Sequence, residues 1–241
     1  MTFGSLFAGI GGFDLGLERA GMKCLWQVEV DDFCTKVLKK HWPDVKRYKN
    51  VREVGKENLE TIDLICGGFP CQQTSTISAI KSCRKGLNGK DSSLWFEYLR
   101  IVQELRPFWV IVENPLGILR WSDTITIGLE RLGYGVSRFQ RSAWSVGAPH
   151  LRRRVFFIAN PMRQRCEKGA RIGESFPYVG LYPWVTPPRG NWDKATPRNN
   201  RMDDGIPNRV DRLKCLGNAV VPQIVEILGK AIIEANYSIG R

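Results

Sequence analysis

No Cys-x-x-Cys pair occurs in this chain, although it carries seven cysteines, at positions 24, 34, 66, 71, 83, 166 and 215. Thiols scattered in this way argue against a zinc cluster and a disulfide framework, and fit a reducing compartment. No metal is therefore expected. No apolar stretch approaches the roughly 18 residues that a bilayer span requires. The amino-terminal Met1-Thr2-Phe3-Gly4-Ser5 lacks the basic start and long apolar core of a secretory signal. A cytoplasmic protein with no membrane partner is expected. Acids are also scarce, with 24 Asp and Glu against 36 Lys and Arg and a formal net charge of +12. Such a balance points to a polyanionic partner, nucleic acid first, although a merely basic surface gives the same figure. No internal repeat is visible. The 241 residues suffice for one large domain, or for a main domain with a small attached one.

Up to residue 159, short apolar runs alternate with amphipathic stretches, as in βαβ units. Phe3 to Phe7 predicts a first strand, followed by the turn Ala8-Gly9-Ile10-Gly11-Gly12 and a helix from Phe13 to Ala20 that Gly21 stops. Cys24 to Val30 predicts a second strand, and Asp32 to His41 a second helix ended by Trp42-Pro43. Ile62 to Cys66, Trp109 to Val112 and Val155 to Ala159 read as further strands, being short and rich in Val, Ile and Phe. Ser93 to Glu104 has helical spacing, with Leu94, Tyr98, Ile101 and Leu105 on one face. From Asn160 to Arg212 the chain turns to Pro, Gly, Asn, Arg and Trp with no sustained period. A long loop has this look, but Phe176, Tyr178, Tyr182, Trp184 and Trp192 argue for a small packed module. Val220 to Ala235 resumes a helical period and is expected to pack back on the sheet. The expected divisions are residues 1–159, 160–212 and 213–241.

Four constellations carry chemistry. The Gly-rich run Phe7-Ala8-Gly9-Ile10-Gly11-Gly12 lets backbone N–H groups and a helix N-terminus approach a ligand. Glu29, at the end of the second strand, stands where an acid binds ribose hydroxyls in dinucleotide folds. A Gly-rich turn alone also serves as a plain strand–helix connection, and the acid is what favours an adenosine-containing cofactor. Cys71 follows Pro70 where a strand gives way to the polar run Gln72-Gln73-Thr74-Ser75-Thr76, and Glu113 closes another apolar strand. Open α/β sheets place ligands just past their strands' carboxyl ends. A thiol there is a candidate nucleophile, and a carboxyl desolvated there has a raised pKa and donates a proton. A cysteine in apolar surroundings is equally a common core residue. Arg152-Arg153-Arg154 precedes Val155-Phe156-Phe157, and strand alternation would send Arg152 and Arg154 to one face. Gly217-Asn218-Ala219-Val220 is by itself only a turn before a helix.

Taken together and in this order, the motifs resemble those of the DNA cytosine-5 methyltransferase family. The run from Phe7 to Gly12 is similar to its cofactor loop, Gly67-Gly68-Phe69-Pro70-Cys71-Gln72 to its nucleophile motif and Glu113-Asn114 to its Glu-Asn-Val motif. Arg152-x-Arg154 resembles Gln-x-Arg-x-Arg, and Gly217-Asn218-Ala219-Val220 the closing Gly-Asn-Ala-Val. The resemblance covers residues 3 to about 235 apart from 160–212, which corresponds to the variable target-recognition region. It implies a Rossmann-like, S-adenosylmethionine-dependent α/β sheet with helices on both faces, acting as a monomer on double-stranded DNA. Restriction-modification is the setting that the family suggests, in a prokaryotic cell or phage-infected host.

The resemblance also assigns roles. Cys71 would add to carbon 6 of a flipped-out cytosine while Glu113 protonates N3. Arg154 would contact O2, and Arg152 would order the nucleophile loop. Pro70, Gln72, Ser75, Glu113, Asn114 and Arg154 would meet the base. Phe7, Ala8, Gly9, Gly11, Gly12, Glu29, Val30, Asn50, Pro70, Leu94, Asn218 and Ala219 would surround the cofactor. The sequence departs from the family pattern at Pro115 (usually Val), at Gln73-Thr74 (usually Pro-Phe), at His150 (usually Gln) and at Asn50 (usually Asp), none of them a reacting group. The rival readings are an amino-methyltransferase, whose Asn-Pro-Pro-aromatic signature Asn114-Pro115-Leu116-Gly117 half satisfies, an RNA cytosine-5 enzyme of the same fold, and an inactive DNA-binding relative.

Overall fold

The described residues form one mixed seven-stranded sheet with helices on both faces. The computed structural model describes residues 1–70, 94–148, 150–161 and 209–238. The strands are β1 (Thr2–Leu6), β2 (Lys23–Val28), β3 (Lys46–Tyr48), β4 (Leu64–Gly67), β5 (Trp109–Pro115), β6 (Tyr134–Ser142) and β7 (Arg153–Pro161), in the spatial order β3-β2-β1-β4-β5-β7-β6. The first five run parallel, whereas β7 is antiparallel to both β5 and β6. The helices are α1 (Gly12–Arg19), α2 (Asp32–His41), α3 (Leu94–Leu105), α4 (Ser122–Arg131), α5 (Arg209–Asn218) and α6 (Pro222–Ser238).

Central parallel strands are covered on both faces, so their residues are apolar without a break, and side-chain alternation deals them to two cores. Val110 and Val112 of β5 join Leu6, Ile65 and Phe157 beneath α3 and α4. Trp109 and Ile111 join Phe3, Leu64 and Phe156 beneath α1 and α6. The second core is closed by small residues. A Cβ added at Gly16 would lie 2.6 Å from the Pro222 carbonyl, and one at Gly229 would lie 2.7 Å from Ala20, so α1 and α6 approach closely only because both are glycine. By length and composition, 210–238 is apolar enough to cross a membrane. It is nevertheless broken at 219–221, and Ile224, Val225, Leu228 and Ile232 of α6 are buried in the core.

The expected strands and first helices are present, with ends shifted by one to three residues, and α2 begins and ends where its sequence signals lie. Asp31 caps it by accepting from the N–H groups of Phe33 and Cys34, while Lys39, Lys40 and His41 fill its last turn. Three expectations need correction. Residues 209–212, expected to be irregular, begin α5. The strand alternation expected to send Arg152 and Arg154 to one face does not reach Arg152, which lies just before β7 with a positive φ of 28°. The buried face of α3 is Trp95, Tyr98, Ile101 and Val102, with Leu94 and Leu105 at its margin, because the helix faces the sheet one residue round from the expected stripe.

Candidate functional site

The order in which strands are added reverses between the parallel neighbours β1 and β4: β2 and β3 extend the sheet on one side of that pair, β5 and β7 on the other. Such a switch point leaves a crevice beyond the strand ends. A cleft of about 530 Å³ lies there, a size suited to a nucleoside-containing ligand. Its walls bring together Phe7, Ala8, Gly9 and Gly12 after β1, Glu29 and Val30 after β2, and Pro70 after β4. Glu113 and Asn114 of β5, Arg154 of β7, and Asn218 and Ala219 complete them. Gly11, Arg152 and Arg154 face an adjoining cavity of about 1100 Å³. Asn50 and Leu94 are not among the lining residues. Asn50 caps the turn Val51–Glu53, accepting from the Arg52 N–H at 3.1 Å and donating to Glu53 at 2.7 Å. Cys71, Gln72 and Ser75 lie outside the described residues, as do Lys81, Arg84, Lys85, Lys90 and all of 162–208.

The Gly-rich corner is built around Glu29. One carboxylate oxygen accepts the Gly9 N–H at 2.7 Å and the other the Asp31 N–H at 2.8 Å. Burial raises its pKa, and these two backbone donors oppose that rise. Phe7 (φ 53°) and Gly9 (φ 57°) both take left-handed backbone to turn the chain from β1 over the cleft. Among the described residues three non-glycines have positive φ, and two of them, Phe7 and Arg152, border this site. Strain of that kind concentrates where a structure holds reactive geometry.

The opposite corner is built around Glu113, which is 5 % exposed. In the β5–β7 ladder Arg154 pairs with Pro115, which puts it diagonal to Glu113 on the same face. Arg154 Nε lies 2.9 Å from Glu113 Oε1, but off the line of a hydrogen bond, so the contact is an ion pair and Oε1 has no aligned donor among the described residues. Burial pushes the Glu113 pKa up to about 7 against the pull of Arg154 and Arg152. The neighbouring Asn114 Nδ2 is likewise buried and has no acceptor among the described residues. Gly68 makes room here, since a Cβ on it would come within 2.8 Å of Glu113 Oε2. Arg152 donates to the carbonyls of Gly217, at 2.8 Å, and Ala219, so it ties β7 to the Gly-Asn-Ala-Val segment.

The model of the C-5 cytosine-specific DNA methylase family matches residues 1–178. The chain belongs to that family. Among curated relatives it is similar to type II methyltransferase M.FnuDI of Fusobacterium nucleatum, 33% identical over 64% of this chain and 45% of that protein. It is also similar to type II methyltransferase M.AquIA of Picosynechococcus, 30% identical over 72% of this chain and 73% of that one. It spans less than half the length of most of the curated relatives it matches. In fold it resembles the Entamoeba histolytica methyltransferase EhMeth, with a TM-score of 0.58 and 20% identity over 69% of this chain and 55% of that one.

Two features of this C-5 methylase chain escape a reading of its motifs. Asp14, in the first turn of α1 and fully buried, accepts from Gln27 at 2.8 Å, Ser5 at 3.2 Å and Cys24 at 3.4 Å, and so locks β1 and β2 to the Gly-rich turn. Its signal was an acid directly beside Phe13, which is core. The second is the contact of Cys34 and Lys214-Cys215 with one another and with Asp31, across some 180 residues of sequence, for which no local signal exists.

Proposed function

We propose that the chain is a DNA cytosine-5 methyltransferase acting through a covalent adduct at Cys71. The observation that carries this reading is Glu113: a buried carboxyl poised near neutrality, with an undonated oxygen, beside the orphaned Asn114 amide at the sheet's switch point. The proposed cofactor is S-adenosylmethionine, and the cleft fits it. Each Glu29 oxygen accepts one backbone N–H and retains a lone pair for a ribose hydroxyl, beneath the backbone of a Gly-rich turn. Phe7 and Val30 are placed to flank an adenine, with Asn218 and Ala219 closing the far wall.

A cytosine stacked in a duplex hides carbon 6, so the base must be flipped out, at a cost of a few kcal/mol. Cys71, next in the chain after Pro70 of the cleft wall, adds as thiolate to carbon 6, sending the ring's electrons toward carbon 5. Protonated Glu113 donates to N3, which prevents negative charge from accumulating on the ring. Asn114 offers its free amide hydrogens to the base, and Arg154 holds Glu113 while its guanidinium faces O2. When bound, S-adenosylmethionine supplies the electrophilic methyl group. Loss of the carbon 5 proton and expulsion of Cys71 then release 5-methylcytosine. Residues 160–208 would read the target sequence, with basic side chains such as Arg163, Arg165, Arg189, Arg198 and Arg201 supplying base and phosphate contacts.

The test is incubation of pure protein with labelled S-adenosylmethionine and duplex DNA, followed by bisulfite sequencing. Transfer to cytosine carbon 5 is expected, with a denaturation-resistant adduct on 5-fluorocytosine duplexes and neither in Cys71→Ala. Continued transfer by Cys71→Ala, or transfer confined to RNA, would defeat the reading.

A further inference from the structure

α5 is held to the body of the protein by few contacts. Among its described side chains Cys215 alone is buried, while Val210 and Leu216 are 78% and 61% exposed. Among the described residues three ties remain: the Lys214–Asp31 ion pair at 2.9 Å, the Arg152 bonds to Gly217 and Ala219, and the contact between Cys215 and Cys34 of α2. An element with so little buried apolar surface opens at small cost. Yet α5 forms a wall of the cleft through Lys214, Cys215, Gly217 and Asn218, and α2 follows directly on Glu29-Val30-Asp31. Lifting α5 therefore opens the side of the cleft where Glu29 stands.

The Sγ atoms of Cys34 and Cys215 are 2.9 Å apart. With Asp31 they form a set of three ligand-type atoms within 4.8 Å. Distance decides against a metal: two thiolates on one tetrahedral zinc stand about 3.8 Å apart at Zn–S lengths near 2.3 Å. Asp31 is also engaged already, by Lys214 on one oxygen and by the α2 cap on the other. An S–S bond of about 2.05 Å, by contrast, needs an approach of less than one ångström.

We propose that Cys34 and Cys215 are an oxidation site whose disulfide latches α5 across the cleft. In the closed form both thiols are shielded, and desolvation raises the pKa of each, so they persist as thiols. When α5 lifts, one thiol, as thiolate, attacks a low-molecular-weight disulfide and expels one thiol from it. The other protein sulfur then displaces the second. One protein disulfide forms, two small thiols leave with the two protons, and two electrons pass from protein to oxidant. The bond joins residues 181 apart, spanning both the nucleophile segment and 160–208. The effect on ligand exchange rests on the cofactor reading above; the latch itself does not.

The test treats full-length protein with oxidised glutathione and compares it with the reduced form by peptide mapping and by hydrogen exchange of the α5 amides. A linked peptide pair containing Cys34 and Cys215 is expected. Exchange across 209–218 should slow about tenfold or more, because a covalent tie suppresses local opening. S-adenosylmethionine release should slow in parallel, and all three changes should vanish in Cys34→Ser and in Cys215→Ser. Mapping that finds only glutathione adducts, or linkage without slower α5 exchange, would overturn the latch. Linkage and slower exchange, with no S-adenosylmethionine bound by either form, would leave the latch standing and sink the cofactor reading.

Discussion

Two carboxylates face the same cleft, Glu113 buried and Glu29 half-buried, and they are held in different ways. Glu29 has a backbone N–H on each oxygen, supplied by Gly9 and Asp31. Glu113 has a guanidinium at its side, no aligned donor on Oε1, and a pKa lifted to about 7. Burial raises the Glu29 pKa as well, but its two backbone donors oppose that rise and hold both oxygens as acceptors. Desolvation with an incomplete set of partners favours the neutral form, which is what the proposed role of Glu113 as proton donor requires. The same side chain at the ends of two parallel strands of one sheet, with β1 and β4 between them, takes its role from the partners that surround it.

The sharpest way to break that contrast is Glu113→Gln, which keeps the shape and removes the proton. Methyl transfer should fall by about 10²–10⁴-fold, as for loss of a general acid, while the dissociation constant for S-adenosylmethionine stays within about threefold. Equal losses in both would show that Glu113 is structural. A second test uses pH. The folded-state pKa of Glu113 is raised from 4.5 to about 7, so folding takes up a proton between those values. Stability from this group is therefore present below pH 4.5 and lost as pH rises through 7, by about 3 kcal/mol in all. Urea unfolding at pH 5 and pH 7.5 should show a larger fall in wild type than in Glu113→Gln. Identical falls would mean that the carboxyl is not desolvated in solution.

On the other side of the comparison, Glu29→Ala strands the Gly9 and Asp31 N–H groups. Cofactor binding should weaken about tenfold and unfolding free energy should drop by about 1–3 kcal/mol, with turnover at saturation nearly unchanged. A turnover defect without weaker binding would reverse the assignment. The smallest effect is expected of Gly68→Ala, whose methyl would press within 2.8 Å of Glu113 Oε2. Turnover should fall about tenfold by displacing the carboxyl, and affinity for S-adenosylmethionine should be spared. Wild-type turnover would show that the carboxyl has room to move.

Legibility followed burial. β1, β4, β5 and β7 announced themselves because strands covered on both faces must be apolar throughout. α2 was readable to the residue because Asp31 caps it and Trp42-Pro43 ends it. β3 and β6 gave no such signal. β3 has only Lys46, Arg47 and Tyr48, and β6 alternates exposed Arg138 and Gln140 with half-buried neighbours, as edge strands do. α4 buries little besides Ile125 and Leu129, too few to mark a stripe. In the site, the nominated residues of four strand ends (β1, β2, β4 and β5) and the Gly-Asn-Ala-Val segment at the end of α5 do converge on one cleft. Asn50, which the pattern also nominated, caps its own turn instead.

Sequence alone determined which strands would be central, where the Gly-rich turn and the Glu-Asn pair would fall, and which family those motifs resemble, because each depends on neighbours a few residues away. Only the tertiary structure decided how far desolvation would outweigh Arg154 and Arg152 at Glu113, that Arg152 would hold the chain at 217–219, and that Cys34 would meet Cys215. Those outcomes depend on desolvation and on contacts between segments distant in the chain, and no local pattern of residues encodes how far apart two such segments will come to rest.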